Sequence, residues 1–352
     1  MRMPDTPSSA QDLLNQRVIA VLNTGSGGCD ASAAGRMNDI FSAAGLRHAE
    51  VVSVPPAQIE AALKRAATLA EVVVVLGGDG TIRSAAAQCS LSGKLLIPLP
   101  GGTMNMLPRA LYGTMSWPQI LADILTTPCI RDVSGGRIGS EPFFCAAVLG
   151  APSLWADARE ALRHLNVIEA TKRAVTAIRR HADEPLEYRM GDGPPGKAEA
   201  IAVICPLVSR AMGHDELSLE AAAIEPVAAA ALFRLAFHAM FDDWRNDPGI
   251  SLARVTVIDV KGHGRVPVIL DGERVRMGRN LRVEFVPLAF RALAPKSPAW
   301  CTGPIVLADK TGRTIGSVVV ADWGGTRLGF ARKGAVCHSN IPLIDSTIEV
   351  RS

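Results

Sequence analysis

The chain has 352 residues, enough for two domains that each bury a core. Apolar residues make up 48%, charged residues 20%, and the formal net charge is +3, too slight an imbalance to argue for a polyanion by itself; composition neither suggests nor excludes nucleic acid, and none is expected as a partner. The seven cysteines are scattered, odd in number and without a Cys-x-x-Cys pair, the pattern of reduced thiols in a cytoplasmic chain.

The first residues, MRMPDTPSSAQDLLNQ, carry Asp and Pro where a signal peptide needs an apolar core. RVIAVLN (17–23) then reads as a strand, AAGRMNDIFSAAG (33–45) as a helix ended by Gly45, and AEVVSV (49–54) as a second strand. PAQIEAALKRAATLA has Ile59, Ala62, Leu63 and Ala66 at helical spacing, and EVVVVL and KLLIPLP supply two more strands. Strand and helix in alternation predict a parallel sheet with covered faces, because parallel crossovers need a helix. After about residue 134, near DVSGGRIGSEP, the pattern changes. PFFCAAVLG precedes a long helical stretch, DAREALRHLNVIEATKRAVTAIRRH, whose apolar stripe contains Leu162, Leu165, Ile168, Val175 and Ile178 and whose basic residues read as a solvated face. Short strands come next (LEYRM, AEAIAVICP, ARVTVIDV, VPVIL, RVRM, LRVEFVP), and the turns between them predict an antiparallel sheet or sandwich. Among them, the apolar-rich stretch 221–241 is interrupted by Glu225, Pro226, Arg234 and His238, so no transmembrane segment is expected. Phe233, Phe237, Met240, Phe241 and Trp244 share helical spacing and read as core. Beyond Trp300, PIVLAD and SVVVADW are strand-like, with no pattern that assigns them to either domain.

Chemistry concentrates in VVVVLGGDGTIRSAA (72–86). Asp-Gly is a common hairpin turn, but Ser84, Ala85, Ala86, Ala87 and Gln88 suit a helix, so strand, turn, helix is the better reading. In an open parallel sheet such a turn lies at the carboxyl end of the strand, where ligands bind. Gly77, Gly78 and Gly80 let backbone approach a ligand, and the next helix presents N–H groups to an anion. A carboxylate beside phosphates repels them unless it faces Mg²⁺ or orients an attacking hydroxyl, so Asp79 points to a metal-bound nucleotide. After the next strand, PLPGGTMNMLPRALYG (98–113) exposes the backbone of Gly101 and Gly102 at a second tip, and Thr103 and Asn105 offer polar side chains. The alternative at that tip is an Asn capping the helix that contains Leu107 and Leu111.

These motifs resemble the diacylglycerol kinase catalytic-domain family, in particular its bacterial soluble lipid kinases, to which sphingosine and ceramide kinases are related. GGDGT (77–81) and PGGTMN (100–105) match its two nucleotide motifs, and LDGERV (270–275), with LRVEFVPLAFRALAP after it, matches a third signature; the resemblance spans residues 16–296. It implies a Rossmann-like α/β nucleotide-binding domain at 16–134, to which a closing segment near 288–296 returns. It also implies a β-rich lipid-substrate domain at 135–287, a β-sandwich with helical insertions, and leaves an unassigned extension at 297–352.

The resemblance further implies phosphoryl transfer from ATP, with Mg²⁺, to a lipid hydroxyl at a membrane surface. The cofactor-binding residues would be Asn23, Ser53, Gly77, Gly78, Asp79, Gly80, Thr81, Gly102, Thr103 and Asn105. Ser53 stands where the family has a Thr, and Thr24 replaces the Pro of an Asn-Pro-x-Ser-Gly motif whose Ser26 and Gly27 are kept. The general base would be Asp271 or Glu273, and bottom-up ILDGERV also reads as a hairpin turn. A structural Mg²⁺ loop finds only a partial match in GHDELSLE (213–220): Asp215 and Leu217 fit, while Glu216 replaces a Gly and Ser218 an acid, which weakens such a site. The expected protein is cytoplasmic, peripheral to the inner face of the membrane, with a homodimer left open. An NAD kinase-like phosphotransferase, sharing the GGDGT motif, and a non-catalytic nucleotide- or lipid-binding protein are the alternatives.

Overall fold

The computed structural model describes residues 16–46, 48–150, 185–209, 211–213, 216–224 and 250–296, and the backbone of two strands at 305–308 and 314–318. Residues 1–295 form one compact unit and 296–352 a second.

The first unit begins with β1 (Val18–Asn23), α1 (Ala33–Ala43), β2 (Glu50–Val54), α2 (Ile59–Leu69), β3 (Val72–Gly77), α3 (Asp79–Ser92), β4 (Leu95–Pro100), α4 (Met106–Tyr112) and α5 (Trp117–Thr126). The four strands are parallel in the order β2-β1-β3-β4. Val72, Val73, Val74, Val75 and Leu76 are all at most 1% exposed, as expected where helices cover both faces and every side chain of a strand meets core. Helix α2 buries Ile59, Leu63, Ala66 and Ala67, one apolar stripe at helical spacing. Helix α5 starts on a capping box in which Ser116 and Gln119 satisfy each other's end of the first turn. The chain order reverses between β1 and β3, so the tips of those two strands flank the crevice where such sheets bind ligands.

The remainder consists of β5 (Pro128–Ile138), β6 (Glu141–Phe143), β7 (Ala146–Gly150), β8 (Leu186–Met190), β9 (Pro195–Ala198), β10 (Ala200–Ile204), β11 (Leu219–Ile224), β12 (Ile250–Val255), β13 (Val257–Lys261), β14 (Pro267–Leu270), β15 (Glu273–Arg276) and β16 (Asn280–Pro295). The sixteen-residue β16 joins the two regions. Its second half pairs in parallel with β4 (Arg291↔Leu95, Ala292↔Leu96), extending the parallel sheet. Its first half pairs antiparallel with β13, and β5 runs along both halves with a register shift between Val286 and Phe290. The result is a mixed sheet of ten strands; a separate antiparallel sheet has the order β12-β11-β10-β7-β14-β15.

Two apolar clusters result from this arrangement. One holds the parallel strands, the helices and the second half of β16, including Phe290, Ala292 and Leu293. The other joins Ile138, Phe143, Ile258, Val260 and Val283 of the long sheet to Leu149, Val203, Ala221, Val268 and Leu270 of the six-stranded sheet, so these two sheets pack face to face. The glycine-rich stretch near which the pattern changes (132–142) runs from strand β5 through a turn at Gly139 and Ser140 into β6, with Gly135 and Gly136 inside β5. Gly135 and Gly136 serve packing there: a β-carbon on Gly136 would run into the Phe143 ring. The segments DAREALRHLNVIEATKRAVTAIRRH and 225–249, with the Phe233 to Trp244 stripe, lie outside the described residues. The second unit contains a hairpin of β17 (Ile305–Ala308) and β18 (Thr314–Val318). Among the described residues no helix is long and apolar enough to cross a membrane.

Candidate active site

Three loops leave the parallel sheet on one side and pack glycine against glycine. Gly101 N donates to Gly77 O at 2.9 Å, and Gly28 N to Gly101 O at 2.8 Å. A β-carbon on Gly102 would meet Gly78 Cα at 2.7 Å, and one on Gly28 would meet Gly101 Cα at 2.9 Å. Any side chain at these points would part the tips, which is why the loops are built of glycine. The loop after β1 closes the set. Ser26 Oγ accepts from Gly78 N at 3.1 Å, and Asn23 Nδ2 donates to Thr81 Oγ1 at 2.9 Å.

Asp79 opens α3, and its half-buried carboxylate faces the neighbouring tip. Oδ1 accepts from Met106 N at 2.7 Å and Oδ2 from Asn105 N at 3.1 Å, so this carboxylate supplies the N-terminal cap of α4 from another element. Asn105 does not cap that helix with its side chain. It adopts a left-handed conformation (φ 51°) and clasps Gly102, accepting from Gly102 N and donating to Gly102 O, both at 2.8 Å. Asp79 and Asn105 thus fix the two tips relative to each other. Thr103 stays exposed at the tip, and Ser53 is exposed on β2 opposite Leu22.

The third signature arrives from the six-stranded sheet. Asp271 and Gly272, with φ of 49° and 91°, form the two-residue turn between β14 and β15. The Asp271 carboxylate is 5% exposed and accepts three backbone N–H bonds, from Phe144 at 2.8 Å, Cys145 at 2.8 Å and Ala146 at 2.9 Å. Burial pushes its carboxyl above the ordinary range, against the pull of those N–H groups and of the nearby Arg83. Burial likewise holds the adjacent Cys145 thiol well above its usual value, reinforced by Asp271, Cys205 and Asp79. Glu273 is exposed and reaches the phosphate-type loop: a β-carbon on Gly80 would meet Glu273 Oε1 at 2.6 Å. The three motifs, separated by up to about two hundred positions in the chain, therefore meet at the amino end of α3.

The metal loop is different. Asp215 lies outside the described residues, and Leu217 is 70% exposed. Glu216 spends its carboxylate on Arg254 (Oε2 to Nη1, 3.1 Å) and on Gly213 N (3.1 Å), while Arg254 Nη2 donates to Ala211 O at 3.0 Å. Among the described residues no group of three His, Cys, Asp or Glu side chains could hold a metal ion. A guanidinium thus ties the described part of this loop, and the Glu216 carboxylate paired to it is not free to take a cation. Sequence reasoning also missed Arg83, whose long-range partners leave no local signal. It likewise missed the donors at Phe144, Cys145 and Ala146, which are backbone groups.

Stacked glycine loops on a parallel sheet thus meet a carboxylate from a second sheet at a helix amino end. Residues 17–138 match the family model of the diacylglycerol kinase catalytic domain, the family that the GGDGT and PGGTMN motifs within that segment resemble. A crystal structure of a candidate diacylglycerol kinase from Bacillus anthracis str. Sterne shares 16% identity, with a TM-score of 0.61 over 80% of this chain and 97% of that one. Another from the same organism shares 17% identity, with a TM-score of 0.61 over 80% and 98%. A third, described as a diacylglycerol kinase, shares 15%, with a TM-score of 0.59 over 80% and 97%. At these identities the likeness is one of fold.

Proposed function

We propose that this chain is an ATP-dependent lipid kinase that phosphorylates a hydroxyl of diacylglycerol or a related lipid alcohol. The carrying observation is Glu273 lying over Gly80, which sets an exposed carboxylate beside the loop suited to phosphates. In this reading the nucleotide occupies the crevice between the parallel sheet and the DGE turn, contacted by Asn23, Ser53, Gly77, Gly78, Gly80, Thr81, Gly102 and Thr103. Its phosphates take the N–H groups at the amino end of α3. Mg²⁺ chelated to the nucleotide would supply charge neutralisation on the transferring group. Glu273 accepts the proton of the lipid hydroxyl as its oxygen attacks the terminal phosphorus and the bond to the ADP oxygen breaks. Asp271, with both oxygens held by backbone, fixes the turn that carries Glu273. Asp79 organises the two tips. The protein works in the cytoplasm at the membrane's inner face, where its acceptor resides.

Purified full-length protein, radiolabelled ATP, and micelles carrying a panel of lipid alcohols or free NAD test the reading. Label should enter a lipid and not NAD; transfer to NAD alone, or nucleotide binding without transfer to any acceptor, would overturn it. Glu273→Gln should lower kcat by about 10²- to 10⁴-fold and leave the unfolding midpoint unchanged. Full turnover in that variant would move the base elsewhere.

A further inference from the structure

Arg83 lies in α3, one turn beyond Asp79, with a side chain 16% exposed. Its Nη2 donates to Glu141 Oε2 at 3.0 Å and its Nε to the Pro142 carbonyl at 3.1 Å, both on β6. Strand β6 runs directly into Phe144, Cys145 and Ala146, whose N–H groups hold the Asp271 carboxylate. Asp271 begins the turn that carries Glu273, and Glu273 comes back to Gly80 in the first turn of the same α3. The contacts close a ring: α3 to β6, β6 to the 144–146 corner, the corner to the DGE turn, and the turn to α3.

From this ring we infer that Arg83 is a positioning residue, which anchors the 141–146 segment to α3 and thereby sets Glu273 over the phosphate-type loop. The inference rests on the kinase reading for its kinetic consequence and on geometry alone for its structural one. A planar guanidinium suits the task because two of its donors can be used at once, one on a carboxylate and one on a main-chain carbonyl, which a lysine ammonium on a flexible stem does not reproduce. Both bonds reach across to another element, so they restrain β6 relative to α3 rather than support α3 itself. Misplacing a reacting group by about 1 Å can cost on the order of 10²-fold in rate.

The test is Arg83→Gln, Arg83→Lys and Glu141→Gln in the full chain, read by amide hydrogen exchange and by kinetics. In Arg83→Gln the amides of Phe144, Cys145 and Ala146 should exchange about tenfold faster or more, with the strand amides of β3 unchanged. The lipid kinase activity should lose about 10- to 100-fold in kcat with the KM for ATP within about twofold. Arg83→Lys should fall between, and the Arg83→Gln, Glu141→Gln pair should lose less than the sum of its single effects. Unaltered exchange at residues 144–146 in both Arg83→Gln and Glu141→Gln would overturn the inference, as would a raised KM with kcat unchanged. If wild type phosphorylates no lipid, the kinase reading fails while the exchange measurement still decides the tie.

Discussion

Asp79 and Asp271 direct their oxygens at main-chain N–H groups, and this decides what their replacement does. Asparagine at 79 would present an amide donor to either Asn105 N or Met106 N, turning an attraction into a donor–donor clash. Asp79→Asn is expected to lose about 1–3 kcal/mol of stability and to lower turnover by orders of magnitude, because the clasp between the two tips loosens. Denaturant unfolding beside a steady-state assay checks both; turnover near normal would show that the tip geometry tolerates the change. For Asp271 the pH dependence is informative. Burial raises its folded carboxyl above the ordinary value of 3.8, so the folded state holds that proton more tightly than the unfolded chain. Stability from this group is then greatest below that value and is lost as pH rises through the folded pKa. Measured against Asp271→Asn, which does not titrate, the wild-type advantage should shrink from about pH 4 toward neutrality; growth over that range would contradict the assignment.

At the level of elements, legibility depended on whether a signal was local. Strands β1, β3 and β4 were readable because an interior parallel strand must be apolar on both faces. GGDGT was readable as a turn into a helix because the residues after Thr81 break strand alternation. Helix α5 went unread although Ser116 and Gln119, a capping box, announced it. The change of pattern read near residue 134 falls within strand β5, since glycine in a sequence looks like a break whether it serves a turn or a close approach. The difference is testable. Gly136→Ala adds a methyl against the Phe143 ring and should cost about 1–3 kcal/mol by overpacking, seen as a lower thermal midpoint. A linker glycine would accept alanine without loss.

For the whole molecule, the sequence pattern implied a nucleotide region and a β-rich region, and apolar clusters of both kinds are present. Which residues tie them together was not readable, because the ties join positions more than a hundred apart through backbone groups. Asp271 to Cys145 is of this kind; the bond from Tyr112 Oη to Leu293 O (2.8 Å) and the edge-to-face pair Phe144–Phe290 at 5.2 Å, just as distant in the chain, hold the first cluster together. Residues 296–352 form a unit of their own, so deletion of 297–352 should leave the unfolding midpoint of the remaining chain in place and, on the proposed kinase reading, its lipid phosphorylation. Loss of either would show that the first unit depends on the tail.

Strand β16 has one further consequence, for how this protein can be cut or recombined. A fragment ending at residue 134 would keep both glycine motifs of the stacked loops, yet it would leave β4 with an open edge and remove Phe290, Ala292 and Leu293 from its interior. The last strand of the first half is encoded at the end of the second. Swapping the β-rich region between relatives therefore requires two crossover points, one before β5 and one within β16, where the register shift between Val286 and Phe290 marks the natural seam.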